Sequence, residues 1–227
     1  MILLMTVGLA TISIIISWLD STGKRQHQCA RAWGAFVLWI SRVQVITQGT
    51  DQLDPKRGYI FMANHLSMFD HWAFLGRLPF HVGFAAKASL FSIPLLGWHL
   101  SRSGSIPIDR KRPRRTLQYF EEIGEAIKRG VSFVIYPEGG RTFGDGLAPF
   151  KRGAFLLAKS ASAPIVPVTI IGAHRRLRRG SIIIRPGMMK MIFHPVLEFR
   201  EYKHMDSRQL SDRVRRIIER SYRQVED

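Results

Sequence analysis

From Gly58 onward, short apolar runs alternate with stretches whose apolar residues recur every three or four positions. That alternation leaves few ways to bury both kinds of segment: strands join in a sheet and amphipathic helices cover it. The runs Tyr59 to Ala63, His81 to Ala85, Ser105 to Ile108, Val131 to Tyr136 and Ile165 to Ile171 are the expected strands. A helix is expected from Pro113, a residue suited to a first helical turn, to a stop at Gly130. It sets Leu117, Phe120, Ile123 and Ile127 on one face. Phe150, Ala154, Leu157 and Ala158 mark a second helix, and Leu210, Val214, Ile217 and Tyr222 a third. Ser181 to Ile184 and Met188 to Phe193 flank Pro186-Gly187 as the arms of a hairpin would. The expected class is α/β, with a central mixed sheet flanked by helices. No internal repeat, low-complexity tract or second domain boundary interrupts the 227 residues.

The first nineteen residues, MILLMTVGLATISIIISWL, carry no charge. A secretory signal has a basic start and a small-residue cleavage site. Here Lys24 and Arg25 follow the apolar run instead, which favours a membrane anchor. A spanning helix needs roughly 20 apolar residues, so the stretch is barely adequate. A second apolar stretch, Ala32 to Ile46, contains Arg42 and is short for a span. Together they suggest a helical hairpin dipping into one leaflet, or one span plus an interfacial helix. The alternative is a buried helix pair of a soluble core. The expected division is membrane-associating helices at 1–47 and an α/β domain at 48–227 that includes the C-terminal amphipathic helix.

The formal net charge of +17 points to an anionic partner: nucleic acid, an anionic membrane surface or a phosphorylated substrate. Cys29 is the one cysteine, which excludes an internal disulfide and a multi-cysteine zinc site.

In open α/β sheets ligands gather where strands end. Three expected strand ends carry polar clusters: Asn64 to Asp70 (NHLSMFD), Asp109-Arg110 after GSIPI, and Pro137-Glu138-Gly139-Gly140-Arg141 after VSFVIY. A turn opening into a helix would bring His65 and Asp70 together. The carboxylate would then fix the imidazole tautomer and leave the other ring nitrogen as a base for a substrate hydroxyl. Taken alone, the pattern more often marks a turn or capping histidine than a base. In the third cluster the glycines allow close backbone approach to a ligand. Arg141, with Arg110 as a second arm, suits a phosphate, although the same residues also describe a Gly-Gly turn with a solvated arginine. There is no G-x-S-x-G elbow, Walker loop, dinucleotide fingerprint or H-E-x-x-H. A base without an enzyme nucleophile suggests direct attack by the substrate hydroxyl. Base, phosphate arm and anchor converge on transfer to a phosphorylated lipid alcohol.

Four blocks in order then resemble the glycerolipid acyltransferase family typified by 1-acylglycerol-3-phosphate O-acyltransferases. NHLSMFD is similar to its Asn-His-x-x-x-x-Asp block, GSIPIDR (Gly104 to Arg110) to its second, YPEGGRT (Tyr136 to Thr142) to its third, and APIVPVTI (Ala163 to Ile170) to its fourth. IPLLGW and FKRGAF are also family-like, and the resemblance covers about residues 58 to 200. It implies that His65 is the general base and Asp70 its orienting partner. Glu138, Gly139, Gly140 and Arg141 would line the acceptor site, with Arg110 and Lys87 near the phosphate. Gly140 departs from the Thr usual at its position, removing a hydroxyl contact.

The resemblance further implies acyl transfer from acyl-CoA or acyl-ACP to the sn-2 hydroxyl of 1-acylglycerol-3-phosphate (lysophosphatidic acid), giving phosphatidic acid. No metal and no cofactor beyond the acyl thioester co-substrate is implied. Anionic membrane lipids are the expected partners, at a bacterial inner membrane with the catalytic part on the cytoplasmic side, and no nucleic acid. Another lysolipid, a lysophospholipid with a headgroup or a lyso-ornithine lipid, is the alternative acceptor. A basic nucleic-acid-binding protein is the rival of another class, opposed by the apolar N-terminus and the lack of a binding module.

Overall fold

The computed structural model describes residues 8, 11–13, 15, 16, 18, 20 and 23–226, apart from 109–112 and 143–145, and no side chain at 113–118, 225 or 226. Seven strands form one mixed sheet in the order β1-β7-β6-β2-β5-β3-β4. They are β1 (Val43–Gln48), β2 (Ile60–Ala63), β3 (His81–Lys87), β4 (Ile106–Ile108), β5 (Val131–Ile135), β6 (Ile165–Ile171) and β7 (Gly187–Phe193). Only β6 and β7 pair antiparallel. Strand β2 lies between β5 and β6, with both edges paired, and helices cover both faces of the sheet there, so all four of its residues are buried. This is why the sequence there is an unbroken apolar run rather than an alternation.

Side chains of β2 nevertheless divide by parity. Phe61 and Ala63 join the core shared with helices α1 (Lys24–Ile40) and α2 (Phe69–Arg77). Ile60 and Met62 join the opposite core, under α4 (Pro113–Lys128), α5 (Arg152–Ser160) and α8 (Ser207–Glu226). Three shorter helices, α3 (Leu96–Arg102), α6 (Ala173–Arg176) and α7 (Phe199–Tyr202), complete the chain order.

The N-terminal part departs from the expected hairpin. Much of residues 1–19 lies outside the described residues. Within it, 8, 11–13 and 15–16 are helical, and Ser13 Oγ is hydrogen-bonded to His99 Nδ1 of α3 at 2.6 Å. The second stretch is not one helix. Helix α1 ends at Ile40, and Val43–Gln48 is the edge strand β1, paired with β7, so the 47/48 division falls inside a strand. The physical cause is a close helix crossing. A Cβ on Gly34 would lie 2.9 Å from Gly76 N, and one on Gly76 would lie 2.7 Å from Ala35 N. With no side chains between them, α1 is laid directly on α2, and Trp33 meets Trp72 edge to face at 5.9 Å. Among the described residues, no helix is long and apolar enough to cross a membrane.

The expected hairpin at 181–193 does not form either. Strand β7 already has β1 on one edge and β6 on the other. Residues 181–186 are therefore irregular, with Ile182 fully exposed.

Candidate active site

Strands β2, β6, β5, β3 and β4 all run parallel, so their C-terminal ends open on one edge of the sheet. The described ends of the four sequence blocks lie along that edge. At the end of β2 the side chain of Asn64 extends the ladder. Its Nδ2 donates to Ile170 O at 2.8 Å, and its Oδ1 accepts from Ile170 N at 2.7 Å, so the amide replaces a peptide unit against β6. Ser67 Oγ donates to Leu177 O at 2.8 Å, which fixes the loop from its other side.

Asp70 sits in the first turn of α2, where carboxylates are favoured by the helix dipole. It is fully buried, and its Oδ2 gathers three donors at 2.8 Å: the backbone N–H of Leu66, the backbone N–H of Ser67 and His65 Nδ1. A carboxylate can only accept, so Nδ1 carries the imidazole proton and Nε2 is left with its lone pair. His65 Nε2 has no hydrogen-bond partner among the described residues.

The imidazole is held by rings as well. Tyr136 stacks on it at 4.0 Å and 16°, and His71 meets it edge-on at 5.1 Å. Burial, then the charges of His65 and Arg141, push His71 down to a pKa of about 3, so this second imidazole is neutral.

Glu138 clamps the site from β5. His65 N donates to its Oε1 at 2.7 Å and Ala148 N to its Oε2 at 2.8 Å. The carboxylate thereby ties His65 to the loop entering α5. Burial raises its pKa to about 7, against the two N–H donors that favour the charged form. Thr142 N returns a bond to His65 O at 3.0 Å.

The acyltransferase family model matches residues 44–171, more than half of the chain. The chain belongs to the acyltransferase family. It is 31% identical over 173 residues to the chloroplastic 1-acyl-sn-glycerol-3-phosphate acyltransferase BAT2 of Brassica napus, across 75% of this chain and 50% of that protein. It thus spans about half the length of that curated relative. A sheep relative, 1-acyl-sn-glycerol-3-phosphate acyltransferase alpha, is 26% identical across 96% of this chain and 76% of its own. The crystal structure of the 1-acyl-sn-glycerophosphate acyltransferase PlsC from Thermotoga maritima shares the fold, with a TM-score of 0.78. It is 21% identical, over 95% of this chain and 88% of that one.

In this acyltransferase the remaining expected residues are placed as follows. Lys87 ends β3, exposed, on the same edge as His65. Gly139 takes a left-handed φ of 73°, and the Lys151 side chain lies across it, 2.8–2.9 Å from where a Cβ would stand. A Cβ on Gly140 would meet nothing within 4 Å, so the missing Thr leaves open space. Arg141 is half-buried, and Arg179 Nη1 donates to its carbonyl at 2.5 Å. Arg110 lies outside the described residues.

The sequence reading missed Tyr136, His71, Ala148 and Lys151. Tyr136 opens the third block and His71 follows Asp70, which is the local signal they carry. Ala148 acts through its backbone N–H, which leaves no trace in residue type.

Proposed function

We propose that this acyltransferase moves an acyl group from an acyl thioester to the sn-2 hydroxyl of 1-acylglycerol-3-phosphate, giving phosphatidic acid and a free thiol. The observation that carries the proposal is the imidazole whose Nδ1 is bound by buried Asp70 and whose Nε2 is left for a substrate. The names of the relatives give the acceptor class. His65 Nε2 removes the proton of the acceptor hydroxyl as its oxygen attacks the thioester carbonyl. The tetrahedral intermediate collapses with loss of the thiolate, which takes the proton back from Nε2. The imidazolium formed between these steps is stabilised by Asp70, while neutral His71 adds no opposing charge. Arg141, Lys87 and Arg110 are the cations for the acceptor phosphate, and Arg141 offers a planar fork to its oxygens. The apolar N-terminal stretch attaches the enzyme to the membrane that holds its lipid substrates.

The test is transfer by purified protein in mixed micelles, with lysophosphatidic acid and either acyl-CoA or acyl-ACP. His65→Ala is expected to lose about 10²–10⁴-fold in turnover, the usual contribution of a general base, with an unchanged melting curve. Less than a tenfold loss would remove His65 from the base role.

A further inference from the structure

On the face of the sheet away from α1 and α2, a surface cleft of about 420 Å³ opens between the start of α5 and the first turns of α8. Its α8 wall is Arg208, Ser211, Asp212 and Arg215. These stand at i, i+3, i+4 and i+7, on one side of a helix. The same helix buries a different stripe, Leu210, Val214 and Ile218. Phe150 and Arg152 form the other wall.

The pieces are arranged. Arg215 donates to Ala148 O at 3.1 Å and Leu147 O at 3.3 Å, lies 5.7 Å from the centre of the Phe150 ring, and approaches Glu219 at 3.8 Å. The guanidinium groups of Arg152 and Arg208 make no ion pair with a described residue. The cleft walls thus carry three arginines and one carboxylate, Asp212, beside an aromatic ring, with Asp206 near Arg152 and Glu219 near Arg215. The cleft is joined to the base by three hydrogen bonds in series: Arg215 to Ala148 O, Ala148 N to Glu138, and His65 N to Glu138.

We propose that this cleft binds the phosphorylated nucleotide end of a coenzyme A thioester. The assignment rests on the acyl-transfer reading and names its donor. Guanidinium forks suit phosphate groups, the Phe150 ring, with Phe155 stacked on it and Arg215 beside it, contributes an apolar wall, and Asp212 accepts from a ribose hydroxyl or an exocyclic amine. The volume is that of a small-molecule site. An anionic bilayer would supply the same phosphate chemistry, but the exposed Trp39 lies on α1, across the sheet from the cleft. A donor seated here sends its thioester arm past residues 147–148 toward His65.

The experiment is calorimetric titration of the full chain in detergent with adenosine 3′,5′-bisphosphate, for wild type, Arg152→Ala and Arg208→Ala. Each variant is expected to weaken binding about tenfold or more, as loss of one charge-assisted hydrogen bond does, with unchanged melting temperature because both side chains are exposed. In turnover, KM for acyl-CoA rises to match, while kcat, the acceptor KM and the rate with an acyl-pantetheine donor lacking the nucleotide stay as in wild type. No bisphosphate binding by wild type, or binding by both variants as tight as by wild type, overturns the proposal. So do variants that bind the nucleotide normally but lose affinity for vesicles of anionic lipid, which would make the cleft a headgroup site. Calorimetry needs no turnover: a chain that binds the nucleotide through these arginines yet transfers no acyl group would fail the activity reading and not this one.

Discussion

Glu138 occupies the most coupled position in the site, because each of its carboxylate oxygens accepts a different backbone N–H. Glu138→Gln offers one acceptor and one donor in place of two acceptors. One of the N–H groups of His65 and Ala148 then loses its partner, at a cost of about 1–3 kcal/mol. The variant is expected to melt lower and to turn over more slowly, since the backbone under the base loosens. The carboxyl also fixes a pH signature. Its pKa is about 7 in the fold and ordinarily 4.5, so between these values the folded state holds a proton that the unfolded chain has released. Its contribution to stability therefore falls as pH rises from about 4.5 to about 7 and is level above. The margin between wild type and Glu138→Gln, followed by thermal melts across that window, should narrow with rising pH. A margin that widens would place the pKa below its ordinary value.

Helix α1 and helix α2 meet through Gly34 and Gly76, and that contact makes the first helix part of the folded domain. Gly34→Val would drive a branched side chain into the backbone of residues 72–76. Overpacking of this kind costs about 1–3 kcal/mol. A fall in melting temperature is expected, with activity lost in proportion as α2, which carries Asp70, shifts. An unchanged melting curve would mean that α1 rests on α2 only loosely. Asn64 performs a comparable task between strands. Its amide pairs both polar groups of Ile170, so it joins the turn that presents the base to β6. The first block thus divides into a hydrogen-bonded pair, His65 and Asp70, and two structural ties, Asn64 and Ser67.

At the scale of the molecule, the described structure separates two parts of the N-terminal region. Residues 24–40 pack on α2 and 43–48 complete the sheet, whereas Ile12, Ile15 and Trp18 stand exposed. Deletion of residues 1–22 should leave a folded, active domain that no longer pellets with vesicles. Deletion of 1–47 removes α1 and the edge strand and should abolish folding, as circular dichroism would show. Full vesicle binding by the shorter deletion would refute attachment through the apolar stretch. Acid should also unfold the chain in a characteristic way. His27, buried, and His71, half-buried with its Nδ1 out of solvent, are neutral, with pKa values of about 3 against an ordinary 6.5. Below 6.5 the unfolded chain takes up protons that the fold refuses, so stability falls toward pH 3, by about 1.4 kcal/mol per pH unit for each such group. Glu138 opposes one of these protons down to about 4.5. His71→Phe fits the aromatic surroundings of Tyr136 and Phe84 and should flatten the slope, read from denaturant titrations at successive pH values.

The sequence by itself determined the alternation of strands and helices, the polar clusters at strand ends and, through four ordered blocks, the family. Those are local properties: apolar periodicity and motif spacing act within a dozen residues and survive as pattern. The tertiary structure decided what pattern does not carry. That Val43–Gln48 is a strand depends on an open edge of β7, far along the chain. The absence of a hairpin at 181–193 has the same cause, since both edges of β7 are taken. Glu138 reads from sequence as an acceptor-site residue. In the fold its oxygens are occupied by backbone donors from residues 65 and 148, a partnership that leaves no trace in side-chain type. Among 34 basic residues, Arg208 and Arg215 share a helix face by their spacing, but Arg152 stands far from them in sequence. Only the packing of α5 against α8 makes it their neighbour, because proximity between distant segments is set by which faces the core must bury.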